Sequence, residues 1–108
     1  LFAGGRAEGE TMHVASMRVE LRVPGVRSLK AKRRVVKSIT DRIGRSHPVA
    51  IAEVDHLDLW QRTTLGIAVV SSSPGQVDRM LHALERELHD RDDVEVLARS
   101  IAYLEEPE

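Results

Sequence analysis

Met17, Val19, Leu21 and Val23 alternate with Arg18, Glu20 and Arg22. A repeat of two is that of a β-strand with one face buried and the other wet. Pro24-Gly25 closes the strand, since proline lacks the ladder donor and glycine permits a turn. Leu29, Val35, Val36, Ile39 and Ile43 then recur at a spacing near 3.6, with Ser28 placed to cap the first turn. This predicts a helix ending near Gly44. Pro48 starts an extended run, Val49 to Val54, followed by a polar connection from Asp55 to Trp60. Thr63 to Ser71 reads as a strand, with Leu65, Ile67 and Val69 on one face and Thr64, Gly66, Ala68 and Val70 on the other. Ser73-Pro74-Gly75-Gln76 predicts a second helix start: Ser73 caps, Pro74 fits the first helical position, and Gln76 completes a capping box. Val77, Met80, Leu81, Leu84 and Leu88 form its core-facing stripe. Asp90 to Asp93 turns the chain into a last strand, Val94 to Leu104, whose alternation is less clean.

The resulting order is β-α-β-β-α-β. Two helices with one apolar face each must cover one face of a four-stranded antiparallel sheet, and right-handed crossovers leave the α+β ferredoxin-like arrangement as the simplest solution. The other sheet face is left to solvent or a partner. At 108 residues the chain is the size of one domain. We divide it into an N-terminal extension at 1–11, glycine-rich and without periodicity, a single domain at 12–104, and an acidic tail at 105–108. Met12 is the expected natural start.

Composition narrows the chemistry. The chain contains no cysteine, which excludes disulfides, thiolate metal sites and cysteine nucleophiles. No run suits a signal peptide or a membrane span, so a cytoplasmic protein that engages no membrane is expected. The net charge of −1 hides an asymmetry. Between Arg27 and Arg45 stand eight basic residues and one acid, Asp41, a local charge of +7 that leaves −8 for the remainder. Such a stripe admits an anionic partner.

Four stretches carry a resemblance: Val19-Glu20-Leu21 with Pro24-Gly25; Arg27-Ser28-Leu29-Lys30 through Lys32-Arg33-Arg34; Ala52-Glu53-Val54-Asp55-His56-Leu57-Asp58-Leu59-Trp60-Gln61-Arg62; and Leu65-Gly66-Ile67-Ala68-Val69-Val70-Ser71. In this order and spacing the chain resembles the YlxP-like family of small bacterial proteins of unknown function, from about Met12 to Leu104. The resemblance implies a ferredoxin-like fold. It also implies a gene neighbourhood often shared with translation initiation and ribosome maturation factors, an association that carries no mechanism. Relatives often have glutamate where this chain has Ala31, so the reciprocal capping box of the first helix is lost here.

Two regions are candidates for a site. The first is the basic helix start: Arg27, Ser28, Lys30, Arg33, Arg34 and Lys37. Free N–H groups and the positive dipole end favour phosphate, and the cations fall on the side away from the apolar stripe, where an RNA backbone could lie. The competing reading is a charged face that only solvates the helix. The second region is the connection Glu53 to Arg62, with Glu53, Asp55, His56, Asp58, Trp60 and Arg62. One histidine among carboxylates is a poor metal or acid–base signature. The plainer account is a structural loop, in which Asp55 and Asp58 bond the backbone, Trp60 packs on the sheet edge and Arg62 pairs with an acid. A third account makes Trp60, with Leu57 and Leu59, a protein contact.

RNA-recognition domains share the topology and stack bases on sheet aromatics. Here the first and third strands have none, which argues against stacking on the sheet. The small Gly66 and Ala68 would instead suit a second sheet or backbone packing closely, and a homodimer through this face. Acylphosphatases also share the topology, but their arginine, which Arg27 could imitate, works with an asparagine, and this chain contains none. No catalytic residue, metal ligand or cofactor is assigned. The leading expectation is a non-enzymatic module for RNA or ribosomal particles; the alternative is a homo-oligomeric interaction module using Trp60 and the open sheet face.

Overall fold

The computed structural model describes residues 12–104. The N-terminal extension at 1–11 and the acidic tail at 105–108 lie outside the described residues. The elements are β1 (His13–Arg22), α1 (Leu29–Ser46), β2 (Ala50–Asp55), β3 (Arg62–Ser71), α2 (Pro74–His89) and β4 (Glu95–Leu104). The sheet order is β2-β3-β1-β4, and every neighbouring pair is antiparallel. This is the ferredoxin-like architecture that the alternating patterns predict.

The period-two face of β1 is the heart of the core. Ala15, Met17, Val19 and Leu21 stand opposite Val69, Ile67, Leu65 and Thr63 of β3, and all eight are buried. Val36, Ile39 and Ile43 of α1 and Val77, Met80, Leu81, Leu84 and Leu88 of α2 complete it. The opposite sheet face carries Ser16, Arg18 and Glu20 beside Ala68, Gly66 and Thr64. Among the described residues no helix is long and apolar enough to cross a membrane.

Several boundaries move for physical reasons. Helix α1 passes Gly44 and ends at Ser46, because glycine allows a left-handed exit without requiring one. Pro48 supplies the stop: it forces His47 into an extended conformation, φ −136° and ψ 142°. At α2, Ser73 caps and Pro74 opens the helix as expected. The second arm of the capping box does not form, since Gln76 Oε1 accepts from Arg79 and the Ser73 N–H donates to Ser71 Oγ.

Two bulges break the alternation. In β4 the register steps from Ala98 to Val96, leaving Leu97 without a partner on β1. That extra residue is why the last strand reads poorly from its sequence. In β2 the register steps from Glu53 to Asp55, leaving Val54 as the extra residue. Val54 turns its side chain over Gly66, where a Cβ would lie 2.8 Å from Val54 Cγ1. Val54 thus occupies the place that a side chain at position 66 would take.

Candidate functional site

Ser28 adopts the extended conformation of an N-cap, and its Oγ accepts the Ala31 N–H at 3.0 Å. Beyond it Arg27, Lys30, Arg33, Arg34 and Lys37 are all exposed, as the wheel predicts. Their electrostatic surroundings differ along the helix. Lys37 pairs with Asp41 at 2.8 Å, one turn further on. That bond, helped by the nearby charge of Arg45, holds the Asp41 carboxyl below its usual range. Arg42 and His47 share Glu87 of α2, at 3.4 and 2.9 Å. Arg27, Lys30, Arg33 and Arg34 meet no carboxylate within ion-pair distance among the described residues. Carboxylates therefore pair with Lys37 and Arg42 in the second half of α1, and among the described residues with none of the exposed cations of its first half.

Lys32 behaves differently from its neighbours. It lies on the apolar line of Val36, Ile39 and Ile43 and is fully buried. Its Nζ pairs with Glu53 of β2 and donates to the backbone carbonyls of His56 at 2.8 Å and Leu57 at 3.3 Å. Glu53 Oε2 also accepts from the buried Thr63 hydroxyl at 2.7 Å. A buried ammonium is tolerable only when its protons find acceptors, and three are supplied here. These bonds fasten the start of the β2–β3 connection to α1.

The far end of the connection is fastened too. The Val23 N–H donates to Gln61 O at 2.9 Å, and Gln61 Nε2 donates to Val26 O at 3.1 Å. Between these anchors His56 takes a left-handed conformation, φ 60°, with its N–H donating to Asp55 Oδ1 at 2.7 Å. The His56 ring nitrogen Nδ1 lies 3.0 Å from the hydroxyl of buried Thr64. The loop is thus held from its backbone, which leaves its apolar side chains outside: Leu57, Leu59 and Trp60 are each about half exposed, Trp60 at 52%.

These placements sort the second candidate group. Asp55 bonds the loop backbone, as the structural account expects, and also faces Arg18 at 3.9 Å. Arg62 lies 3.8 Å from Glu20, while its Nε is buried without a hydrogen-bond partner. Asp58 is exposed. Trp60 is half exposed. The group does not converge as acid and base, because Glu53 is held by Lys32 and Thr63, and the His56 ring meets Thr64. Among the described residues no cluster of three or more His, Asp or Glu side chains forms a metal site.

The sequence reading missed Lys32 and Glu53 as a pair. The signal was present: Lys32 stands four residues before Val36 and seven before Ile39, a core position held by a lysine. The open sheet face adds a shallow groove of about 410 Å³ lined by Ala50, Ala52, Val54, Gly66 and Ala68.

A family model described as "Protein of unknown function (DUF503)" matches residues 14–101. The Bacillus subtilis (strain 168) protein "Uncharacterized protein YlxP" is 48% identical over 54 residues, covering 50% of this chain and 59% of that relative. The matched stretch therefore spans less than two thirds of that relative's length. Among solved structures, the de novo designed protein Foldit4 superposes with a TM-score of 0.52 at 15% identity, over 90% of this chain and 100% of its own. A likeness at that identity is one of fold alone.

Proposed function

The chain belongs to the DUF503 family of proteins of unknown function, and for this member of it we propose a non-enzymatic module that binds RNA or ribosomal particles. Phosphates lie along the first turns of α1, on Arg27, Ser28, Lys30, Arg33, Arg34 and Lys37. The observation that carries this reading is the asymmetry of charge. Arg27, Lys30, Arg33 and Arg34 are exposed and meet no carboxylate among the described residues, whereas further along the same helix Lys37 and Arg42 are paired and Arg45 stands near enough to Asp41 to act on it. Charge that serves only to solvate a helix gains from nearby carboxylates. An unneutralised stripe is suited to a polyanion, which releases its own counterions on binding. Glu53 and His56 are held in structural bonds, which favours a reading of binding.

The test replaces Lys30, Arg33, Arg34 and Lys37 with glutamine, which keeps helix propensity and removes charge. Co-sedimentation with ribosomal subunits, and affinity for RNA, are measured across a salt series. The native protein should show a log–log slope of roughly −0.7 per phosphate contact on a single strand, and the variant a shallower one. Native binding no stronger or more salt-sensitive than that of a control domain of equal charge would refute the reading.

A second reading, self-association through the open sheet face, is favoured by its shallow apolar groove and by the exposure of Val70 and Leu104 on that face. It predicts a dimer in sedimentation velocity that Val70→Asp dissociates without unfolding the monomer. A monomeric native protein at tens of micromolar or above would remove it.

A further inference from the structure

Trp60 is the part of the molecule that the phosphate-binding reading leaves unexplained. It is half exposed on a loop fixed at both ends, and Leu57 and Leu59 beside it are equally open. Exposing three large apolar side chains costs solvation unless something covers them. The same loop is held by a buried lysine at an unusual core position, an arrangement that fixes its backbone and does nothing to hide its side chains. The anchors also fix where the loop lies. Gln61, next to Trp60, bonds Val26, next to Arg27, and Lys32 joins His56 and Leu57 to the buried side of α1. Trp60 and the unneutralised Arg27 are thereby brought to neighbouring positions at the start of α1.

Resting on the RNA reading above, we propose that Trp60 is a stacking platform for a nucleobase and that the RNA bound is single-stranded. An indole offers a flat face to any base, and Arg27 nearby, with the basic start of α1 continuing from it, holds the sugar–phosphate backbone as that base turns inward. A duplex keeps its base faces stacked and presents only phosphates and groove edges, so it can use the cations and not Trp60. Leu57 and Leu59 supply apolar walls of the kind that flank unstacked bases. The site replaces the sheet platform of RNA-recognition domains, which this sheet cannot provide: the open face of β1 and β3 carries Ser16, Arg18, Glu20, Thr64, Gly66 and Ala68. Immobilising the loop beforehand lowers the ordering cost of binding.

Trp60 is the only tryptophan in the chain, so its emission reports this site alone. The full chain is titrated with a single-stranded oligoribonucleotide, a duplex of the same length, and inorganic polyphosphate. The single strand should quench the emission, while duplex and polyphosphate bind through charge and leave it unchanged. Trp60→Ala should lose roughly 10-fold in affinity for the single strand and nothing for polyphosphate. Trp60→Phe should retain most of the affinity, and circular dichroism checks that both variants fold. Equal affinity for single strand and duplex without quenching would overturn the stacking proposal and leave the phosphate reading standing. Absence of salt-sensitive binding to all three would overturn both. Trp60-dependent capture of ribosomal particles, with no quenching by free RNA, would also overturn it and assign the surface to a protein contact.

Discussion

Helices α1 and α2 cap the same side of the sheet and are built alike, each with a serine cap and an apolar stripe, yet they handle charge in opposite ways. Helix α2 buries Val77, Met80, Leu81, Leu84 and Leu88 and no charged side chain. Its carboxylates are tied off: Glu85 to His89 and Arg99, Glu87 to Arg42 and His47, and Asp78 to the Tyr103 hydroxyl. Helix α1 buries Lys32 within its stripe and leaves the cations of its first turns open. What the sheet requires of a covering helix is what α2 supplies. One departure, Lys32, holds the β2–β3 connection, and the other leaves the helix start exposed and basic, so the difference between the helices separates scaffold from candidate site.

The largest effect should come from removing the buried charge. Lys32→Ala leaves Glu53 and two carbonyls without their partner and should cost about 3–5 kcal/mol, read from denaturant unfolding. The double variant Lys32→Met with Glu53→Leu sharpens the point. Replacing a buried ion pair by apolar groups can restore stability, but it cannot restore the bonds to His56 and Leu57. Stability near the native value, with faster amide exchange across residues 56–61, is the expected outcome. Native-like exchange there would mean that the loop is held by something other than Lys32.

For α2 the corresponding experiment is Leu84→Ala, at the middle of its stripe and fully buried. It should cost about 2–5 kcal/mol and leave RNA binding and Trp60 emission unchanged. A variant of α2 that disturbed the loop as Lys32→Met does would erase the division between scaffold and site. The four-glutamine variant of α1 should lie at the other extreme, within about 0.5 kcal/mol of native stability, since the side chains it changes are exposed.

The smallest effect is acid-side. Asp93 is held below the usual carboxylate range chiefly by its bond to Arg91, whose Nη2 also reaches Ser38 of α1. A depressed folded pKa stabilises above the unfolded value, 3.8, and that contribution fades as pH falls through the lower folded value. Asp93 is over a third exposed, so solvent screens the pair and the effect stays below about 1 kcal/mol. Asp93→Asn should lose that small contribution near neutrality and flatten the profile below pH 4, where variant and native converge; a loss at neutral pH of the size expected for Leu84→Ala would make the pair part of the core.

The fold was legible where the pattern is local. Met17, Val19, Leu21 and Val23 alternate because one face of β1 is covered, and the stripe of α2 is visible from five residues. What stayed hidden depends on pairing between distant segments. The step at Leu97 exists only against β1, so nothing in the sequence of β4 displays it. Val54 closing over Gly66 likewise needs the register of β2 on β3. In the candidate site, the exposure of Lys30, Arg33, Arg34 and Lys37 follows from the wheel. Their neutralisation does not: Lys37 finds Asp41 within its own helix, whereas Arg42 finds Glu87 on another. The basic stripe and the tryptophan loop read as two separate candidates because the bonds that join them, from Lys32 and Gln61, span 24 to 35 positions of chain.

The position of β1 between β3 and β4 has a kinetic consequence. Its register partners run as far as Leu104, opposite Val14, so the central strand closes one side of its ladder with the last element of the domain. Contacts between such distant segments bear a large loop-closure entropy before they return any stability, which slows folding relative to a helical bundle of this size. During synthesis β1 can meet β3 and α2 early, but one of its edges stays unpaired until β4 has been made. Over that interval a row of free backbone donors and acceptors is open to other chains. Stretches of β4 that slow its delivery, or variants that weaken its hold, should therefore lower the yield of folded protein more than they lower the stability of what has folded.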